Sequence, residues 1–201
     1  AFITHYANLA VGKIDAFAIG TEMRDLTKIT SAAGVFPAVT QLVSLAATVK
    51  TTLGSGVKVT YAADWSEYHH TDGGWHHLDP LWASPDVTAV GIDNYMPLSD
   101  WRDADLENPN PDGFRLADDA GAMARQITAG EGFDWYYASE ADRAARIRSP
   151  ISDGLAGKPW VFRFKDIQGW WGNLHHDRIS GAERPEPSAW RPASAWAQAR
   201  A

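Results

Sequence analysis

Two short apolar runs flanking one long amphipathic run restrict this chain more than any other feature. "IDAFAIG" (14–20) and "VKVTYA" (57–62) are short, apolar and bounded by turn-forming residues, the pattern of buried strands. Between them, residues 37–53 place Val39, Leu42, Val43, Ala46, Val49 and Leu53 on one helical face. Pro37 suits the first turn of that helix and Gly54 its stop. A third run, "DVTAVGID" (86–93), reads as another strand, with a short helical turn at 79–84 before it. Strand, helix, strand and a further strand after a short crossover specify an α/β fold with a parallel sheet and right-handed crossovers. Downstream, 114–129 and 134–148 read as helices and "KPWVFRF" (158–164) as a fourth strand. After Gly169 the chain turns polar and Pro-rich, and an element is expected only near its end. Four strands are too few to close an eight-stranded barrel.

In parallel α/β sheets the chemistry gathers at the carboxyl ends of the strands. The polar residues of interest fall there: Glu22 after the first strand, Asp64, Trp65 and Glu67 after the second, Asp93, Asn94 and Tyr95 after the third. Bulk properties narrow the partners. A net charge of -7 with no basic run argues against nucleic acid and anionic membranes. The absence of cysteine excludes disulfides and thiolate metal sites. No apolar run approaches the roughly 20 residues of a membrane span, and no basic-then-apolar N-terminus marks a signal peptide. The histidine pairs His69-His70, His76-His77 and His175-His176 lack metal-ligand spacing, so no metal is expected. No GxSxG, GxGxxG or P-loop pattern occurs, and no cofactor is implied.

Glycoside cleavage needs two carboxyl groups flanking the scissile bond. Glu22 is the candidate acid, because a strand end beside an apolar run would push its carboxyl up by desolvation. The plainer alternative pairs Glu22 with Arg24 or makes it a cap of the following turn. "YAADWSEYHH" and "GIDNYMPLSDW" mix carboxylates, an amide and aromatics. Asp64, Glu67, Asp93 and Asn94 would bind sugar hydroxyls while Trp65, Tyr95 and Trp101 stack on rings. The alternative buries those aromatics as core or loop anchors. Ten tryptophans leave room for both fates.

Five long segments, in order, carry a resemblance: "HYANLAVGKIDAFAIGTEMRDLT", "YAADWSEY", "HLDPLWASPDVTAVGIDNYMPLSDW", "GEGFDWYYASEADR" and "KPWVFRFKDIQGWW". The chain resembles the TIM-barrel-like domain of gene transfer agent and phage-tail baseplate hub ("megatron") proteins, to about Arg191. The resemblance implies an incomplete parallel (β/α) TIM-barrel-like fold, with the first strands and the nucleophile strand missing. Residues 1–169 would form the central part of the domain and 170–201 a Trp/Pro-rich irregular segment. It also implies kinship with retaining glycoside hydrolases, whose acid/base Glu usually follows Asn; here Glu22 follows Thr21. The strand that carries the second Glu in that clan should follow Trp190-Arg191-Pro192, but "ASAWAQARA" offers none, and "KPWVFRFKDI" offers Arg163 and Asp166 instead. The chain alone is therefore not expected to cleave glycan. The implied setting is the tail baseplate of a phage-like particle made in the bacterial cytoplasm. The implied partners are cell-envelope polysaccharide or peptidoglycan and other baseplate or tail proteins. The implied role is to act on or bind envelope glycan, or alternatively to serve as a noncatalytic structural or receptor-binding module.

Overall fold

The computed structural model describes residues 1–192; the element expected near the C-terminus lies outside them. Compactness divides the chain into two units, one of residues 1–94 with the stretch from 171 onward, the other of residues 95–170.

The first unit is built on a parallel sheet in the order β1 (Ala16–Thr21), β2 (Lys58–Asp64), β3 (Gly91–Asp93). A helix absent from the sequence reading, α1 (Phe2–Ala10), precedes it, and a one-turn helix α2 (Arg24–Thr27) follows β1. Helix α3 spans Pro37–Leu53, as its apolar face and end signals require, and buries Val39, Leu42, Ala46, Val49 and Leu53. That stripe packs with the sheet face carrying Ile19, Val59, Tyr61 and Ala63. After exposed Lys58, strand β2 alternates buried and half-buried residues, the signature of a sheet covered on one face. A bulge between Ala18 and Thr21 shifts the β1–β2 register, so Thr21 rather than Gly20 stands opposite Ala62. Gly91 is required by close approach, since a Cβ there would come 2.7 Å from the Tyr61 carbonyl oxygen. The third strand is shorter than expected because Thr88 takes over part of the pairing. Its N–H and its hydroxyl both reach the Val59 carbonyl, at 2.7 and 3.0 Å, and regular pairing begins only at Gly91.

The turn α4 (Asp79–Trp82) sinks Leu81 and Trp82 into the same core. Residues 171–192 return to this unit. Trp171 and Trp190 meet edge-to-face with ring centroids 4.9 Å apart, and Trp190 donates its indole N–H to the Trp171 carbonyl. Buried Asp79 accepts from the Ser188 hydroxyl and lies 2.8 Å from His175 Nδ1. The polar tail is thus anchored to the core by aromatics and one buried carboxylate.

The second unit contains α5 (Ala120–Arg125), a two-rung antiparallel ladder of β4 (Trp135–Tyr136) with β5 (Ser149–Pro150), α6 (Glu140–Ala145) between those strands, and 3-10 turns at Asp103–Leu106, Gln126–Thr128 and Pro159–Phe162. Three sequence expectations are corrected here. The helix expected over 114–129 starts only at Asp119, whose carboxylate caps Ala122 N–H. The helix expected over 134–148 starts at Ser139, which caps Asp142 N–H, and ends where Arg146 turns left-handed. "KPWVFRF" is a 3-10 turn and not a strand; Pro159 lacks the N–H a ladder needs and sits in the turn's opening position. Helix α7 (Ile167–Gly172) then leads back to the first unit, which closes with the hairpin β6 (Arg178–Ile179) and β7 (Ala182–Glu183). Among the described residues the parallel strands number three, and they form an open α/β sheet rather than a closed barrel.

Candidate functional site

Strand β1 does not simply stop at Thr21. The Glu22 N–H adds one more rung, donating to the Ala62 carbonyl at 2.9 Å, and the backbone then turns left-handed at Glu22 with φ of 48°. That conformation is disfavoured for any residue with a Cβ. Hydrogen bonds hold it on both sides. The Thr21 hydroxyl donates to Asp93 Oδ2 at 2.7 Å, across the end of β2, and the Met23 N–H donates to the Tyr61 hydroxyl at 2.8 Å.

The turn places Glu22, Met23, Arg24, Asp25, Leu26 and Asp64 around one open cavity of about 380 Å³. Asp64 is fixed through Oδ1, which accepts the Ser66 N–H at 2.7 Å and the Ser66 hydroxyl. Arg24 in turn donates to the Ser66 hydroxyl at 2.9 Å. Asp64 also stands directly opposite Asp93 in the β2–β3 register. Carboxylates therefore end or follow all three parallel strands, and two of them, Glu22 and Asp64, line the same cavity. Glu22 is exposed rather than sunk beside the apolar run, so the desolvated setting expected for an acid is absent. It does not cap α2, whose entry makes no side-chain capping bond.

Glu67, expected to touch sugar, is corrected to a buried support. Its side chain is fully buried and accepts the Thr27 hydroxyl at 2.6 Å, the Tyr61 hydroxyl at 2.9 Å and the Asp64 N–H at 3.2 Å. Burial raises its carboxyl above the ordinary range, while those three donors oppose the shift. Burial, followed by the charge of Glu67, likewise raises the Tyr61 phenol. His77 Nε2 lies 3.4 Å from the Thr27 hydroxyl, and burial, reinforced by nearby Lys28, pushes His77 down to about 3.

The remaining expected residues are dispersed. Trp65 is half-buried beside Asp64 in sequence, and Asn94 is exposed just past β3. Tyr95, 69% exposed, and half-buried Trp101 belong to the second unit, so the first unit forms its strand-end cavity without them. No aromatic ring lines that cavity. Among the described residues no group of three or more His, Asp or Glu is arranged to hold a metal ion. No helix among them is long and apolar enough to cross a membrane.

Sequence reasoning missed Thr21, Tyr61, Thr27, Asp25 and Ser66 as parts of this site. One signal was available for Tyr61. A tyrosine on the covered face of a strand must find a partner for its hydroxyl, and the loop above it is the nearest source.

Parallel strands with a covering helix and polar residues collected at their carboxyl ends define a parallel α/β protein whose site lies at the strand ends. Within that class the chain belongs to the GTA TIM-barrel-like domain family, whose model matches residues 1–197. It is thus a domain of the gene transfer agent type. Among curated proteins, none matches the chain.

Proposed function

We propose that this domain serves a gene transfer agent particle by binding cell-envelope glycan at the strand-end cavity, without cleaving it. The observation that carries this reading is the sharing of one open cavity by Glu22 and Asp64. Two carboxyl groups lining one open shelf are acceptors for the hydroxyl pairs of a sugar. The Arg24 guanidinium, tethered to Ser66, supplies donors beside them. Asp93 and Asn94 extend the polar row across the sheet, and Trp65 follows Asp64 in the chain.

Cleavage is the weaker reading. Oxocarbenium chemistry profits from a closed site that excludes water, and here the acid is exposed on an open surface. The role in a tail baseplate, alongside other tail proteins, rests on the family resemblance. The test is titration of the domain with soluble peptidoglycan fragments and capsular oligosaccharides, followed by backbone amide NMR. Shifts confined to residues 21–27, 64–67 and 93–94, abolished by Glu22→Gln with Asp64→Asn, are the expected result. Release of reducing ends by the wild type, lost in Glu22→Gln, would replace binding with hydrolysis.

A further inference from the structure

We infer that buried Glu67, acting through Tyr61 and Thr27, is the positioning residue that holds Glu22 in its left-handed conformation and fixes both carboxylate walls of the cavity. This rests on the glycan-binding reading only for its functional consequence.

Donor and acceptor capacity sets the direction of every bond. The Met23 N–H can only donate, so the Tyr61 hydroxyl accepts from it and spends its single proton elsewhere, on Glu67. The Thr27 hydroxyl spends its proton on Glu67 at 2.6 Å. Met23 precedes α2 and Thr27 ends it, so one carboxyl secures both ends of the turn that follows Glu22. The same carboxyl accepts the Asp64 N–H, which belongs to the opposite wall. Thr27 and Tyr61 give their protons to Oε1 and the Asp64 N–H points to Oε2, so both carboxyl oxygens serve as acceptors.

Glu22 needs such help. A residue with a Cβ leaves the left-handed region unless its neighbours forbid it. Thr21 is held by the sheet and by Asp93; on the other side the Met23 N–H is held by Tyr61, and the Met23 carbonyl by the Leu26 and Thr27 N–H groups of α2. Tyr61→Phe removes the phenol that accepts from Met23 while keeping the ring in the core. Glu67→Leu removes both acceptor oxygens at similar volume and disturbs both arms, whereas an amide oxygen in place of Oε1 would still accept from Thr27 and Tyr61. Thr27→Val cuts only the far end of the turn.

The experiment measures two things on the full chain. The first is the intraresidue HN–Hα NOE of Glu22, which is strong in a left-handed residue. The second is the affinity for the glycan fragment that the wild type binds. Tyr61→Phe and Glu67→Leu should weaken the Glu22 NOE and weaken binding by about fivefold, the reduction expected when the competent conformer becomes a minor one. Thr27→Val should move both less. A merely structural role would lower the melting temperature of the variants and leave the NOE and the affinity of the folded protein unchanged, and that result overturns the inference. If the wild type binds no glycan, the functional proposal fails, and the NOE still decides whether Glu67 and Tyr61 position Glu22.

Discussion

The two units surround their central carboxyl groups differently. In the first, a sheet and a long helix supply the core, and the buried carboxyl of Glu67 is surrounded by neutral hydroxyl and amide donors. In the second, regular structure is sparse and carboxylates meet guanidinium groups. Arg146 grips Asp105 with two parallel bonds at 2.7 and 2.6 Å, and Arg148 grips Asp112 at 2.8 and 2.7 Å. Asp100 stands between them, within 3.2 Å of Arg102, Arg146 and Arg148, and accepts the Tyr137 hydroxyl at 2.7 Å. Burial acts to raise Asp100, but the donors from Tyr137, Arg148, Arg146 and Arg102 outweigh it and hold the carboxyl low. Arg148 also lies 3.9 Å over the Trp135 ring. The lesson is that short elements with little apolar area need directional charge pairs to fix one conformation, while a sheet-and-helix core can enclose a carboxyl among neutral partners.

The largest expected effect breaks the first unit. Trp82 is fully buried and packs near Tyr61 and Trp171. Trp82→Ala should cost about 4 kcal/mol, the loss of a large core side chain plus its cavity. Denaturant titration measures it, and hydrogen exchange should show lost protection in β2 and α3. A cost below about 1 kcal/mol would mean that aromatic packing does not hold this unit.

Next comes the second unit. Asp100→Ala leaves three arginines facing a gap, and removing one partner of a largely buried network should cost about 3 kcal/mol. Asp100→Asn keeps two acceptor sites of the side chain and should cost less. If the two variants are equal, hydrogen-bond geometry matters little and charge alone holds the loop; if both are silent, the network is ornamental to stability.

A smaller effect is read by pH. His77 is lowered to about 3 in the folded chain, against an ordinary 6.5. Between those values the unfolded chain takes up a proton that the folded one refuses, so stability falls as pH falls. The slope from His77 is about 1.4 kcal/mol per pH unit below 6.5. Glu67 is shifted upward and acts in the opposite sense, gaining a proton in the folded chain first. His69 is likewise lowered to about 3 by burial and contributes a slope of the same sign, so His77→Phe should roughly halve the slope between pH 6.5 and 5. Asp100 is lowered, so its contribution is present above the ordinary aspartate range and is lost only as pH falls below it. Loss of protection around 135–150 at pH 6, with the first unit intact, would contradict this ordering.

These differences also explain what the sequence could and could not disclose. Helix α3 was legible to the residue, because Pro37, a 3.6-residue apolar period and Gly54 are local signals. Strands β1 and β2 were legible as apolar runs, and Glu22 as the residue that ends one. The second unit was not legible, because its order comes from pairs such as Asp100 with Arg146 and Asp112 with Arg148, 46 and 36 residues apart. No local period marks them, and arginines near a helix end read equally well as dipole partners. "KPWVFRF" misled for a related reason. Its apolar residues suit a strand, but strand pairing is a property of a neighbour, and none stands there. Glu67 was placed near the site in sequence but on the wrong side of the surface, since a loop side chain can curl under a strand end without changing any pattern.

The smallest effect sharpens what burial contributes to the comparison. Arg143 donates to Glu131 Oε1 at 2.8 Å and lies 4.7 Å over the Tyr137 ring, so its contacts look as good as those of Arg146. Its side chain, however, is 45% exposed, against 21% for Arg146. Water and salt screen an exposed pair, and the flexible side chain loses entropy when it is fixed. Arg143→Ala should therefore cost only about 0.5 kcal/mol, and that cost should shrink further in 1 M salt. Asp100→Ala should keep most of its effect at the same salt concentration, since its partners are shielded from solvent. Equal costs and equal salt sensitivity at the two positions would show that geometry, and not exclusion of water, gives the second unit its strength.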